Sequence, residues 1–112
     1  MSEAIDILAD GFRRAYADGD RELLSSLLDP DATWGVGEGD RTCHNRAEVL
    51  AWFDGLWRHG VRGTVSGVEK EPDGFVLLVD VQSPQGPFRV RQRMTVVGDR
   101  VATIMPDERL PE

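Results

Sequence analysis

Residues 12–20, Phe-Arg-Arg-Ala-Tyr-Ala-Asp-Gly-Asp, and residues 27–35, Leu-Leu-Asp-Pro-Asp-Ala-Thr-Trp-Gly, decide the fold of this chain. Apolar residues in the first stretch recur at helical spacing and end at Gly19-Asp20, a pair typical of a helix end followed by a new N-cap. In the second stretch a short leucine-rich helix ends before Pro30, because proline disfavours helical backbone in the residue that precedes it. We therefore expect two helices followed by the first strand of a sheet, at about 32–36.

The first helix extends back towards the N-terminus, where Ser2 is a candidate N-cap. Its apolar residues follow an i, i+3, i+4, i+7 pattern, which predicts an amphipathic helix with one face on the core. In the second helix the leucines are expected to point inward. The apolar residues of the two helices are Ile5, Leu8, Ala9, Phe12, Ala15, Tyr16, Leu23, Leu24, Leu27 and Leu28.

A third helix begins at residues 45–48, Asn-Arg-Ala-Glu, which have the form of a capping box with Asn45 as the cap. Gly60 is expected to end this helix. Its apolar residues cover a wide arc, so we expect the helix to be largely buried. These residues are Val49, Leu50, Trp52, Phe53, Leu56 and Trp57.

The second half of the chain alternates apolar and polar residues between short turns that contain Gly, Pro and Asp. This pattern predicts an antiparallel meander, and helices followed by a sheet indicate an α+β domain. At 112 residues the chain is expected to form a single domain, 1–112, in which 105–112 is a loosely ordered tail. The predicted strands are 63–71, 75–83, 88–97 and 101–105.

Composition narrows the class of partner. The chain has 20 acidic and 13 basic residues, a formal charge of −7, which disfavours nucleic acid and anionic membranes. Cys43 is the only cysteine, so no internal disulfide forms and a reducing compartment is expected. No apolar run approaches the roughly 18 residues of a membrane span, and the N-terminus lacks a signal-peptide pattern. We expect a cytoplasmic protein.

Residues 17–20, Ala-Asp-Gly-Asp, and 28–34, Leu-Asp-Pro-Asp-Ala-Thr-Trp, carry a family resemblance. The chain resembles the nuclear transport factor 2-like superfamily, which includes ketosteroid isomerases, SnoaL-like cyclases and limonene-epoxide hydrolases. Trp34, the run Cys-His-Asn-Arg at 43–46 and the Glu-Val-Leu at 48–50 resemble a small bacterial subgroup without an established reaction. The resemblance implies a cone-shaped domain, with N-terminal helices packed on a strongly curved, mostly antiparallel sheet around a pocket.

The catalytic positions of the relatives are largely replaced. A ketosteroid isomerase uses a tyrosine, an Asp base and a protonated Asp, and these positions fall on Phe12, Val36 and about Gln92. The Asp and His of a cyclase have no counterpart on the strands, because no histidine follows His59. An epoxide hydrolase needs an Asp-Arg-Asp arrangement, of which only Asp80 with a strand arginine is available. Whether the chain is an enzyme is left open.

One face of the strand at 88–97 is expected to line the pocket. Gln92 interrupts its apolar residues, among them Met94, and is either a hydrogen-bonding group for a ligand or a structural amide. The opposite face carries three arginines, which either form cross-strand ion pairs, line a dimer interface or bind an anion. The arginines are Arg89, Arg91 and Arg93, and the candidate acidic partners are Glu69, Glu71 and Asp80.

The other candidate pocket residues precede that strand. Trp34 and Trp57 are either core aromatics or pocket lining. Cys43 is either an inert packed thiol or a nucleophile, since the following helix N-terminus and Arg46 would lower the pKa of the thiol. Arg46 either forms a salt bridge with Asp40 or Glu48 or reaches a ligand carboxylate. Two adjacent residues, Cys43 and His44, do not make a metal site, and we expect neither metal nor cofactor.

Three functions remain open. The first is a homodimer, paired through the sheet, that binds a small hydrophobic ligand in an apolar pocket. The second is an isomerase, cyclase or hydrolase acting on a polyketide-, terpene- or steroid-like substrate, with Asp80 or Cys43 as catalytic candidates. The third is a non-catalytic interaction protein. The expected ligand-binding residues are Trp34, Cys43, Arg46, Trp57, Gln92 and Met94.

Overall fold

The structure, a computed structural model, describes residues 3–35 and 43–110, and the side chains of 4–35 and 43–106 among them. Several sequence predictions fall outside these residues, namely the N-cap at Ser2, the replaced base position at Val36, the partner of Arg46 at Asp40 and the last part of the tail, 111–112. The fold is α+β, as predicted. Its elements are α1 (Glu3–Asp18), α2 (Arg21–Leu27), β1 (Leu28–Trp34), α3 (Arg46–Arg58), β2 (Arg62–Glu71), β3 (Gly74–Gln82), β4 (Phe88–Val97) and β5 (Arg100–Leu110).

The helix ends follow the predicted caps. Gly19 adopts a φ of 62° in the turn after α1, a backbone conformation that costs glycine little. The Asp20 carboxylate then accepts a hydrogen bond from the Leu23 amide at 3.1 Å and caps α2. At α3 the Asn45 side chain accepts from the Glu48 amide at 2.9 Å, whereas the Glu48 carboxylate accepts from the His44 amide. The described helices include none with the length and apolar character that a bilayer crossing requires.

The five strands form one sheet in the order β1-β5-β4-β3-β2. The predicted meander is present as β2 to β5, in which each strand pairs antiparallel with the next. β1 begins at Leu28, earlier than predicted, and pairs parallel with β5. Pro30 is tolerated there because β1 lies at the edge of the sheet, where one side of the strand needs no ladder hydrogen bonds.

The predicted loose tail is wrong for residues 105–110. β5 continues to Leu110, and its backbone pairs Pro106 with Gln92 and Arg109 with Val90 on β4. β4 begins as early as Phe88, so the start of β4 would leave backbone donors and acceptors without partners if β5 ended at Met105. Continued pairing satisfies these groups.

The core lies between the helices and the inner face of the sheet. The side chains of Phe12 on α1 and Phe75 on β3 are fully buried there, with ring centroids 6.3 Å apart. Register shifts between Val65 and Gly67 on β2, and between Val90 and Gln92 on β4, mark irregularities that bend strands. The alternation along β4 turns Gln92 inward, as predicted.

The outer face of the sheet carries a row of ion pairs, defined here as the arginine ladder. Arg89 contacts Asp80 at 2.7 Å, Arg91 contacts Glu69 at 3.0 Å and Arg93 contacts Glu71 at 3.2 Å. The predicted cross-strand pairs are therefore confirmed. Arg91 and Arg93 reach from β4 over β3 to β2, and Val76, which lies on the outer side of β3, is fully buried.

Candidate functional site

A cavity of about 210 Å³ opens between α3, the end of α1 and the inner face of the sheet. It lies on the half of the sheet where β2 begins and β3 ends. Aromatic and aliphatic side chains form most of its surface. Its lining residues are Tyr16, Trp34, Trp52, Phe53, Leu56, Trp57, Val61, Arg62, Gly63, Val79, Val81, Phe88, Val90, Gln92 and Pro106.

Rings from β1 and α3 form one wall of the cavity. The Phe53 ring lies between two tryptophan rings of this wall. Its centroid is 5.3 Å from that of Trp34, in an edge-on arrangement, and 5.7 Å from that of Trp57. Trp52 lies 6.4 Å from Trp34 and is 41% exposed, so α3 is not buried as widely as its sequence predicts. The sequence leaves open whether these tryptophans are core residues or pocket lining. In the structure they border an open cavity, so they serve as its lining.

The polar group inside the cavity is a hydrogen-bonded pair. Gln92 is 6% exposed, and the Tyr16 hydroxyl donates to its Oε1 at 2.8 Å. Burial raises the pKa of Tyr16 far above its usual range, so the phenol stays protonated and remains a donor. Gln92 Nε2 has no hydrogen-bond acceptor among the described residues. The pair therefore leaves an amide donor for a cavity occupant.

Sequence reasoning found Gln92 but missed Tyr16 as its partner. Phe12, the predicted counterpart of the isomerase tyrosine, is fully buried in the core, and Tyr16 lies one helical turn further along α1. The signal was present, because Tyr16 is the one hydroxyl-bearing side chain on the apolar stripe of α1 and a buried hydroxyl needs a partner.

Arg62 is the charged side chain that lines the cavity, and sequence reasoning missed it as well. Its Nη1 donates to the backbone oxygens of Trp57 at 3.2 Å and Val61 at 3.1 Å. These contacts place the guanidinium beside the C-terminal end of α3, where backbone carbonyls favour positive charge. Arg62 is the first residue of β2. It reaches the cavity because the chain turns back after α3, and the local sequence does not indicate the direction of this turn.

Three of the predicted ligand-binding residues line the cavity, namely Trp34, Trp57 and Gln92, and three do not. Met94 lies on the same face of β4 as Gln92, but it is buried in the core between its neighbours Phe75 and Ile104. Arg46 donates to the Leu28 backbone oxygen at 3.5 Å and not to Glu48.

The structure does not support the hypothesis that Cys43 is a reactive nucleophile. The pKa of its thiol is raised, first by burial and then by the Glu48 carboxylate, so the expected lowering by the helix and Arg46 is absent. Its backbone is paired with Trp34 in both directions, by hydrogen bonds of 2.7 and 3.1 Å. The thiol is packed in the core and is not part of the cavity lining.

The second catalytic candidate, Asp80, also lies away from the cavity. Its side chain is on the outer face of the sheet, where its carboxylate binds Arg89, because even-numbered residues of β3 point away from the helices. Neither Asp80 nor Cys43 is therefore placed to act on a molecule in the cavity. Among the described residues, no three His, Cys, Asp or Glu side chains are grouped as a metal site requires.

Comparison with known proteins identifies the fold. No family model matches the chain, and no curated protein matches its sequence. A proposed polyketide cyclase from Sinorhizobium meliloti is 15% identical, with 94% of this chain and 99% of that chain covered and a TM-score of 0.78. A proposed ketosteroid isomerase from Kribbella flavida is also 15% identical, with coverages of 98% and 83% and a TM-score of 0.82.

A third similar structure, from Catenulispora acidiphila, has a ketosteroid isomerase-like fold and was solved in complex with trimethylamine. It is 12% identical over 90% of this chain and 84% of that chain, with a TM-score of 0.73. At these identities the similarity establishes the fold. The chain has the nuclear transport factor 2-like cone fold, as its sequence indicated, and its chemistry must be argued from its own cavity.

Proposed function

We propose that this chain is a binding domain for a small, mostly apolar molecule, which Gln92 recognises through a hydrogen-bond acceptor. The observation that supports this is the cavity itself, a half-open cleft lined by aromatic side chains in which one buried amide has an unused donor. Ligand sites commonly combine an apolar lining with a few placed polar groups. The Tyr16 hydroxyl holds Gln92 Oε1 and so presents Nε2 to the occupant.

The size of the cavity sets the size of the occupant. Its 210 Å³ exceeds the roughly 150 Å³ of an engineered protein cavity that binds benzene, but lies below the roughly 300 Å³ at which drug-sized sites begin. A molecule of one or two fused rings fits this range. A larger polyketide or steroid would have to extend out of the cavity into solvent.

Binding is favoured over catalysis by the lining. Its described side chains include no carboxylate, histidine or thiol, and the Tyr16 phenol stays protonated, so the described lining offers no general base near neutral pH. An amide at Gln92 also lacks the ionisable proton of the isomerase's aspartic acid.

A bicyclic ketone and its parent hydrocarbon test the hydrogen bond. We expect α-tetralone to bind more tightly than tetralin by about fivefold, because Gln92 Nε2 donates to the ketone and one such bond is worth about 1 kcal/mol. Calorimetric titration measures both affinities. Gln92→Leu should remove the difference, whereas Gln82→Leu, the same change at an exposed position on β3, should preserve it.

Equal affinity of the two compounds in the unmodified protein would contradict the role of Gln92. Failure of both to bind would contradict the binding function. Mass spectrometry of the purified protein under native conditions provides a second measurement, in which a retained molecule of one or two rings is expected.

We also propose that two copies pair through the outer face of the sheet. Arginines on β4 and glutamates on β2 form parallel rows of opposite charge on either side of β3. A two-fold axis that runs parallel to the strands, above the outer face of β3, would place each row over its complement. Light scattering after size exclusion should give a dimer mass. Arg91→Glu should give a monomer, and addition of Glu69→Arg should restore the dimer. A monomer mass for the unmodified protein would contradict this pairing.

A further inference from the structure

We infer that Arg62 makes the cavity selective for ligands with an anionic group, such as a carboxylate, at the end that faces α3. The inference rests on the proposed binding function and specifies the ligand class. Among the lining residues of the described cavity, Arg62 is the one that carries a charge at neutral pH. The opposite polar group, Gln92, is neutral, so the cavity has a charged end and an uncharged end.

The position of the Arg62 guanidinium is fixed by its contacts. Nη1 uses its hydrogens on the Trp57 and Val61 backbone oxygens. On another side lies Gly19, where an added Cβ would be 3.6 Å from both Cζ and Nη2 of Arg62 and 3.7 Å from the Trp57 ring. The side chain is thus held between the ends of α1 and α3, beside the aromatic wall.

The charge of Arg62 is not neutralised by any neighbour in the described part of the chain. No carboxylate of the described residues lies within 4.0 Å of it, whereas Arg21 pairs with Asp54 and Arg93 pairs with Glu71. A guanidinium has five N–H donors, and those on Nε and Nη2 make no hydrogen bond within the described residues. Nε and Nη2 lie along one edge of the guanidinium, the kind of edge that binds a planar carboxylate through two parallel hydrogen bonds.

Arg62 also determines whether the aromatic cavity favours a cationic or an anionic ligand. Ring faces attract cations, and a cage of tryptophans by itself would suit a small ammonium ion. The guanidinium reverses this preference, because it repels a cation and attracts an anion at its end of the cavity. Arg62 is exposed, so this attraction weakens as salt is added. The overall charge of −7 opposes anions at long range, but salt screens that effect beyond about 8–10 Å.

A pair of neutral and charged tetralones tests the inference. One probe carries a carboxylate on the ring carbon opposite the ketone, and the other carries a carboxamide of nearly the same shape. We expect the carboxylate to bind about threefold to tenfold more tightly at low salt, since charge-assisted hydrogen bonds exceed neutral ones. This advantage should shrink as salt is added, while carboxamide binding stays constant.

Three variants locate the effect. Arg62→Gln should abolish the advantage of the carboxylate over the carboxamide, and an unchanged far-ultraviolet circular dichroism spectrum would show that the fold is intact. Arg58→Gln removes the same charge from an exposed position on the last turn of α3 and should leave the ratio unchanged. Arg62→Lys should retain part of the preference, because it keeps the charge but loses the planar donors.

The outcomes separate the two proposals. Equal affinities for carboxylate and carboxamide in the unmodified protein would overturn the anion selectivity and leave the binding function standing. Failure of both the carboxylate and the carboxamide to bind would overturn both. Tighter binding of tetramethylammonium than of the carboxylate would also overturn the inference, as would an equal loss of both probes in Arg62→Gln, which would make Arg62 a structural residue only.

Discussion

The hydrogen bond between Tyr16 and Gln92 joins α1 to β4 over 76 positions of sequence. Both side chains are buried, so each provides the hydrogen-bond partner that the other has lost by leaving water. The same bond fixes which end of the Gln92 amide faces the cavity. One contact therefore connects the stability of the fold with the recognition of a ligand.

Tyr16→Phe should lower the free energy of unfolding by about 1–2 kcal/mol, because it leaves Gln92 Oε1 buried without its donor. Urea denaturation measures the change. In the double variant Tyr16→Phe/Gln92→Leu, part of the loss should return, since both polar groups are then absent. A Tyr16→Phe protein as stable as the unmodified protein would contradict this role.

The same substitution should become less costly at alkaline pH. The folded protein keeps the Tyr16 proton because burial raises the pKa, whereas the unfolded chain loses it above about pH 10. The unfolded state then binds fewer protons, so Tyr16 contributes a loss of stability of up to about 1.4 kcal/mol per pH unit above that point. The phenylalanine of the variant has no ionisable proton, so its stability lacks this pH dependence.

Urea midpoints at pH values from about 8 to 11 should therefore show the two proteins converging above about pH 10. Tyr16 is the only tyrosine, so the rise in phenolate absorbance reports this one group. We expect that rise to accompany unfolding. Phenolate formation in the folded protein near pH 10, with a constant stability difference, would contradict the burial argument.

At the scale of the elements, Gly74 at the start of β3 shows how closely β3 and β4 approach. A Cβ built there would lie 1.8 Å from the Met94 backbone oxygen, a contact that only backbone movement can relieve. We expect Gly74→Ala to destabilise the protein by about 3 kcal/mol or more, as overpacking of a rigid site does.

Gly55 on α3 supplies the matched control, because a Cβ added there would meet no atom within 4 Å. Gly55→Ala should stabilise the protein by about 0.5–1 kcal/mol, since alanine has the higher helix propensity. Thermal unfolding followed by circular dichroism compares both variants. Similar shifts in Tm for the two substitutions would refute the argument from β3–β4 spacing.

The elements were largely predictable because their signals are local. Caps at Asp20 and Asn45, and the alternation along β4, follow from neighbouring residues. The end of β5 was not predictable, because its pairing depends on the free edge of β4. In the site, Gln92 stood out as a polar residue on an apolar face, whereas Arg62 reaches the cavity only through the path of the chain after α3.

For the whole molecule, the three tryptophans allow a test of the predicted single domain. Trp34, Trp52 and Trp57 are all the tryptophans of the chain, and all line the cavity between helices and sheet. If the chain unfolds as one unit, urea curves from tryptophan fluorescence and far-ultraviolet circular dichroism should coincide. A cavity that opens at lower urea than the sheet would separate the curves and indicate two units.

Cys43 gives the molecule a built-in reporter of local opening. Its thiol is buried, its pKa is raised, and its backbone is tied to Trp34 at the edge of the sheet. A thiol-modifying reagent can therefore attack only after this segment separates from β1, and the modification rate measures how often that happens. Cys43 is the only cysteine of the chain, so no second thiol competes for the reagent. A single kinetic trace, recorded on the protein without substitutions, therefore reports the separation of Cys43 from Trp34.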